Sequence, residues 1–245
     1  MTPIEWQIAT ISAITPETPE VKTFGLSLPA WMRHQAGQHY DVRLRAPDGY
    51  VAQRSYSIAS APETMGRVDL TVEHIDGGEV SGYLHEVPMV GDRIEVRGPI
   101  GGYFVWDEKK GGPLLLIAGG SGVVPLMAML RHRKAVGSTV PTRLLFSARS
   151  FDDLIYREEL AALAADGSGL EVRFTLTRSQ PPGWTGFTRR IDLPMLTEVA
   201  GPLGREPLCY ICGPTLLVEA AANGLGDLGI APGRIRTERF GPTGS

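Results

Sequence analysis

Several short runs in this sequence combine residue types and spacings that suit chemistry. In Gly120-Ser121-Gly122-Val123-Val124-Pro125, glycines stand between a continuous apolar run and the start of a helix-like pattern. Without a Cβ, glycines let backbone N–H groups approach an oxyanion closely, and a helix N-terminus adds a favourable dipole. The third glycine of the dinucleotide fingerprint is missing, so a tight strand-to-helix turn with no ligand is the alternative. The next strand-like run ends at Ser147-Ala148-Arg149-Ser150. An acidic residue there would hold a ribose diol, whereas an arginine suits a 2′-phosphate. Arg149 and the following Tyr156-Arg157 are placed to converge on one phosphate; the simpler reading is two solvated charges. Asp152 and Asp153 blur the choice of nucleotide.

Cys209-Tyr210-Ile211-Cys212 has the look of a redox or zinc pair, yet no histidine cluster or second pair supplies the remaining ligands for zinc. On a strand the two thiols point to opposite faces. Cys212-Gly213-Pro214 instead marks the carboxyl end of a strand, where ligands bind in open α/β sheets. In the first half, Arg54-Ser55-Tyr56-Ser57 alternates along a strand, so Arg54 and Tyr56 share a face. That pairing suits a phosphate and a planar ligand, or else an ordinary barrel strand with a half-buried tyrosine.

The elements that position these residues fall into two kinds. Val42 and Leu44 alternate with Arg43 and Arg45, followed by the turn residues Ala46-Pro47-Asp48-Gly49. Val68, Leu70 and Val72 alternate with polar residues and run into Asp76-Gly77-Gly78; Ile94 and Val96 alternate likewise, and Gly98-Pro99 ends that run. One short helix fits around Ser81–Val87. Residues 1–108 therefore read as a small antiparallel β-barrel or sandwich. From Leu114–Ala118, a continuous apolar run typical of a parallel strand buried on both faces, the pattern changes. A helix follows from Pro125, then a strand over Arg143–Ser147, a helix over Leu154–Ala165, a strand over Glu171–Thr177, a strand over Leu208–Cys212 and a helix over Leu216–Asn223. Alternating strands and helices make residues 109–245 an α/β domain with a parallel sheet. The polar, glycine-ended segment Asp107–Gly112 is the hinge between the two.

The 245 residues comfortably accommodate two domains, and 42% hydrophobic content with a mean hydropathy of -0.04 excludes a disordered chain. A net charge of -3 leaves no global field to gather nucleic acid or anionic membrane. No apolar run approaches the ~20 residues of a membrane helix, and the N-terminus lacks a signal-like stretch. No nucleic acid partner, no membrane insertion and a cytoplasmic location are expected. The two cysteines are too few for a disulfide framework or an iron–sulfur cluster, and no metal site is expected.

Taken in order, these segments resemble the ferredoxin–NADP reductase family of flavoproteins over nearly the whole chain. Arg54-Ser55-Tyr56-Ser57 is similar to the family's flavin motif, which implies that Arg54 contacts flavin phosphates, Tyr56 packs on the isoalloxazine and Ser57 lies near flavin N5. Gly78-Glu79-Val80-Ser81 resembles the second flavin phosphate motif, and the resemblance extends the flavin site to Val72 and His74. Gly98-Pro99-Ile100-Gly101 with Phe104 resembles the link that closes the flavin domain. Gly119–Pro125, with Gly120, Ser121, Gly122 and Pro125, resembles the pyridine-nucleotide pyrophosphate loop. Thr177-Arg178 and Gly183-Trp184 resemble the segment along the far side of the nucleotide. Cys212-Gly213-Pro214 resembles the motif whose cysteine approaches the nicotinamide. Ser147, Arg149, Tyr156 and Arg157 resemble the residues that hold the 2′-phosphate and adenine in NADP-specific diflavin reductases. Plant-type members end on an aromatic that covers the flavin; here Glu238-Arg239-Phe240 is followed by five further residues.

The resemblance implies hydride transfer from NADPH to bound FAD, with NAD(H) the lesser donor, followed by release of single electrons. The choice of FAD over FMN rests on the family's habit. Nicotinamide C4 would have to come within about 3–3.5 Å of flavin N5, the flavin ring lying between the barrel and the nucleotide fold. Cys212 would pack beside C4, Glu238 would pass a proton near N5, and Phe240 would cover the ring. The acceptor would be a separate redox protein such as a ferredoxin, an oxygenase or another metalloenzyme, and the chain would act as a monomer. Arg33–His34 and Arg43–Arg45 are candidate positives for docking an acidic partner, or solvated strand faces. A flavin reductase treating free flavin as substrate, and a non-catalytic electron-transfer or nucleotide-sensing subunit, are the alternative functions.

Overall fold

The structure, a computed structural model, describes residues 4–240. Backbone contacts divide the chain into two units. The first runs to Asp107 and also takes Met127–Ala135; the second comprises Glu108–Leu126 and the chain from Val136.

In the first unit, strands β1 (Gln7–Thr18), β2 (Val21–Ser27), β3 (His39–Arg45), β4 (Val51–Ser57), β5 (Arg67–Glu73) and β6 (Arg93–Ile100) form an antiparallel sheet ordered β4-β3-β6-β1-β2-β5. Just past β4, Ile58 bridges to Leu70 and the Ala59 N–H donates to the Asp69 carbonyl at 2.7 Å. The two end strands thus meet and the sheet closes into a barrel. The alternating residues behave as their period requires: Val68, Leu70, Val72, Ile94 and Val96 are buried beside Phe24, Leu26, Tyr40 and Val42. Helix α1 (Glu79–Glu86) adds Val80 and Leu84, one turn apart on one face, to the same core.

The run through Ile94 and Val96 does not stop at Gly98-Pro99, as expected from sequence, but continues as β6 to Ile100. Beyond Gln7↔Val96 strand β1 no longer flanks β6, and the register against β3 shifts between His39 and Asp41. A residue without an N–H is tolerated at such a place. Gly98 leaves room for the Tyr40 ring, which would lie 2.6 Å from an added Cβ.

The second unit is a parallel sheet of β7 (Leu114–Gly119), β8 (Thr142–Ala148), β9 (Leu170–Leu176), β10 (Leu208–Pro214) and β11 (Ile235–Phe240), ordered β11-β10-β7-β8-β9. Helix α2 (Val123–Ala135) starts in this unit, its part from Met127 being counted with the first; the other helices are α3 (Arg157–Ala165), α4 (Leu193–Ala200) and α5 (Thr215–Asp227). Every residue of β7 is buried, as a central parallel strand demands. The chain leaves β7 toward β8 on one side and returns to β10 on the other. The carboxyl ends of β7 and β10 therefore flank the topological switch point, where ligands of open α/β sheets bind.

Three features depart from the sequence expectations. Helix α3 begins at Arg157 rather than Leu154, because Tyr156 at its N-cap has φ 58°, a left-handed conformation that a helix cannot run through. Helix α4 had no counterpart; its Asp192 N-cap accepts the Met195 N–H at 2.9 Å, with Pro194 in the first turn. Glu238–Phe240, assigned to no element from sequence, is the end of β11, parallel to β10.

Candidate active site

In the first unit, β4 pairs Arg54 with Val42 and Tyr56 with Tyr40, which puts Arg54 and Tyr56 on one face. Tyr56 is half-buried against the barrel core. Burial pushes its phenol up to about 12, with the nearby Arg54 charge acting the other way. Arg54 is exposed; its guanidinium donates to the Gln53 carbonyl at 2.6 Å and has no carboxylate partner among the described residues. Ser55 is turned away and donates to Asp41 at 2.6 Å. Ser57 is 7% exposed, and its hydroxyl has no hydrogen bond among the described residues.

Helix α1 packs beside β4. Its N-cap is Gly78, with no side chain capping the first-turn N–H groups. A Cβ on Gly78 would sit 2.4 Å from Ser81 Oγ and 2.9 Å from the Ile75 carbonyl, so only glycine fits. The resemblance made Val80 and Ser81 flavin contacts, but their side chains are spent within the barrel. Val80 lies in the core, and the Ser81 hydroxyl accepts the Ile75 N–H at 3.2 Å and donates to the Gly78 carbonyl at 3.3 Å. What α1 presents is its uncapped N-terminus, an anion-binding group. Val72 also turns its side chain into the core, and its carbonyl is bonded by His85 Nε2 at 3.0 Å. His74 meets Glu20 at 3.4 Å, its ring 5.3 Å from that of His85.

The candidate docking positives have partners within the barrel. Arg43 and Arg45 both pair with Glu95, Arg97 pairs with Asp41, and Arg43 and Arg97 lie over the Trp6 ring. Arg33 pairs with Glu63 at 2.7 Å, and His34 is buried and bonded to the Ser60 carbonyl.

In the second unit, Gly120–Gly122 forms a single tight turn between β7 and α2, with Gly120 at φ 53°. Pro125 lies in the first turn of α2, where its missing N–H costs nothing. A Cβ on Gly122 would fall 2.1 Å from the Cys212 carbonyl oxygen, so this glycine turn and the end of β10 are packed backbone to backbone. Cys212 is fully buried; burial, then the Glu238 charge, pushes its thiol up. Burial likewise raises Cys209 to about 12, so neither thiol is a nucleophile at neutral pH. On β11, Glu238 stands opposite Cys212 and Phe240 opposite Pro214. Burial lifts the Glu238 carboxyl to about 7. Phe240 is half-buried; the residues after it lie outside those described.

The turns after β8 and β9 are joined. The Arg149 carbonyl accepts N–H groups of Arg178 at 2.9 Å and Ser179 at 3.2 Å, and the Thr177 hydroxyl donates to Ala148 at 3.2 Å. This sets exposed Arg149 and exposed Arg178 side by side, while Ser147 is buried. Arg157, expected to share a phosphate with Arg149, instead lies 4.3 Å over the Phe151 ring, whose edge meets Trp184. Tyr156 is 5% exposed, so its ring is not an open stacking face; the left-handed turn directs it inward. Asp153 accepts the Ser150 N–H and hydroxyl at 2.9 and 2.7 Å, and so is engaged in its own turn. No sequence pattern singles out Tyr50, whose hydroxyl donates to Glu79 at the start of α1. No local pattern announces a contact between a hairpin turn and a distant helix.

Among the described residues no cluster of His, Cys, Asp and Glu could hold a metal ion, and no helix is long and apolar enough to cross a membrane. A flavin and a dinucleotide fit the groups present: an unpaired arginine beside an uncapped helix and a half-buried phenol in one unit, and a glycine cradle at a switch point in the other.

Residues 8–105 match the family model described as an oxidoreductase FAD-binding domain, and residues 116–223 the oxidoreductase NAD-binding domain. The chain is 34% identical to ferredoxin–NADP reductase B of Sorangium cellulosum, over 97% of this chain and 98% of that one. It is 31% identical to DmpP, the reductase component of phenol 2-monooxygenase from Pseudomonas sp. strain CF600, over 89% of this chain. The match spans only 61% of that longer relative. Among solved structures, the Amycolatopsis cytochrome P450 reductase GcoB superposes with a TM-score of 0.83 at 26% identity, over 99% of this chain and 72% of that one. A Neisseria gonorrhoeae ferredoxin NADP+ reductase with bound FAD and NADP shares the fold, with a TM-score of 0.80 at 23% identity, over 97% and 99%.

Proposed function

The chain belongs to the ferredoxin–NADP reductase family of FAD- and NAD(P)-binding oxidoreductases, and from that premise we propose that it oxidises NADPH and delivers electrons to a separate redox protein, a ferredoxin or the oxygenase of a multicomponent system. A bound flavin supplies the redox chemistry, accepting a hydride and passing electrons on singly; the protein supplies binding, orientation and electrostatics.

Arg54 and the N-terminus of α1 hold the flavin phosphates, Tyr56 offers its half-buried ring as a flat apolar face, and Ser57 supplies a free hydroxyl. Gly120, Ser121 and Gly122, with the start of α2, receive the dinucleotide pyrophosphate. Arg149, with Arg178 beside it, pairs with the 2′-phosphate. Asp153 is bound to Ser150 and does not compete for a ribose diol. Cys212, buried and protonated, is a small wall rather than a nucleophile, and Glu238 holds an exchangeable proton at its carboxyl near neutral pH. A cytoplasmic setting belongs to this reading, supported by two free thiols.

The observation that carries the proposal is the junction at the ends of β7 and β10. There a glycine cradle closes on Cys212, and the residue opposite on β11 is a carboxyl that titrates near neutrality. The test is steady turnover of NADPH by dialysed protein with ferricyanide, a one-electron acceptor. The expected result is a pair of ferricyanide ions reduced per NADPH with no added flavin. Turnover that appears only when free flavin is supplied would contradict it and favour a flavin-as-substrate reductase.

A further inference from the structure

Tyr50 precedes β4, and Glu79 is the first residue of α1. The Tyr50 hydroxyl donates to the Glu79 carboxylate, 3.0 Å from Oε1 and 2.9 Å from Oε2. The bond does not serve the core, since Tyr50 is 56% exposed and Glu79 is at the surface. It does serve the distribution of charge. A carboxylate in a first helical turn is drawn to the uncapped N–H groups and the positive end of the dipole. The N-cap here is Gly78, which contributes no side chain. Arg54 belongs to the same neighbourhood: its charge acts on the Tyr50 hydroxyl, and β4 packs on α1. Yet among the described residues Arg54 and Glu79 form no ion pair, although opposite charges so placed would attract. The hydrogen-bond partner of the carboxylate is instead the Tyr50 hydroxyl.

We propose that Tyr50 is a positioning residue that ties back Glu79, leaving Arg54 and the N-terminus of α1 open to a flavin phosphate. The inference rests on the reading of Arg54 and α1 as the flavin phosphate site. A released Glu79 would bring a like charge beside the phosphate and a competing anion to Arg54. Two unit charges about 4 Å apart in water alter affinity by roughly fivefold. Because the groups are exposed, salt screens the effect.

The test measures FAD dissociation constants from the flavin fluorescence recovered on diluting the holoprotein, at low and high salt. Tyr50→Phe is expected to weaken FAD by about fivefold at low salt and by less at high salt. Glu79→Gln should bind FAD at least as tightly as the parent, and Tyr50→Phe combined with Glu79→Gln should return to the Glu79→Gln value. A Tyr50→Phe protein that binds like the parent, or a double variant as weak as Tyr50→Phe, overturns the proposal. Arg54→Ala separates the two levels of the argument. If it weakens FAD while Tyr50→Phe does not, the positioning role falls and the phosphate site stands. If it binds FAD as tightly as the parent, the phosphate site falls and the positioning role with it.

Discussion

Glu238 takes its chemistry from its surroundings. Burial lifts its carboxyl from the ordinary 4.5 to about 7. Between those values the folded chain keeps a proton that the unfolded chain has released. The stability this group contributes is therefore full below pH 4.5, falls as pH rises, and is lost above about 7. Glu238→Gln carries no such penalty. It should melt higher than the parent above pH 7 by the equivalent of about 1–3 kcal/mol, the difference vanishing in acid. Its turnover should be slower by about 100-fold and lose the decline that the parent shows as pH passes through 7. A pH–rate profile and melting curves check both. Residue positions were legible wherever a period of two fixed the face, as for Arg54 and Tyr56. Where a tertiary partner takes the side chain they were not. The Ser81 hydroxyl goes to the Ile75 N–H, Arg157 goes over Phe151, and Tyr156 is turned inward by its own backbone. None of these partners is set by local spacing.

The glycine turn between β7 and α2 is packed against the end of β10. An added Cβ at Gly122 meets the backbone of Cys212 and Gly213, which cannot rotate away as a side chain can. Gly122→Ala should cost about 3 kcal/mol and weaken NADPH binding. Gly82→Ala, within α1 with nothing inside 4 Å of the added Cβ, should instead gain about 0.5–1 kcal/mol. Chemical denaturation with a nucleotide titration separates the two outcomes. Elements with a continuous or alternating apolar pattern were readable from sequence, β7 and β5 above all. Strand β11 was not. Arg236, Thr237, Glu238 and Arg239 give an edge strand no apolar face, and its pairing to β10 supplies what the pattern lacks. Helix α4 is short, but Asp192 followed by Pro194 was a usable start signal.

For the molecule as a whole, the shift from period-two alternation to apolar runs separated by helices was enough to read a barrel followed by an α/β unit. Surface charge was less legible. Arg43 and Arg45 look like a positive patch in sequence, yet both face Glu95 from the neighbouring strand. Which strands lie side by side is a property of the folded sheet. Both arginines are thus partnered within the sheet. Anaerobic addition of NADPH to the dialysed protein, followed by visible absorbance, probes the cofactor and its electron donor together. The protein should be yellow, with flavin absorbance that survives dialysis and is bleached by stoichiometric NADPH. A folded protein that carries no flavin and gains none on mixing with FAD, or one whose bound flavin NADPH leaves oxidised, would contradict this expectation.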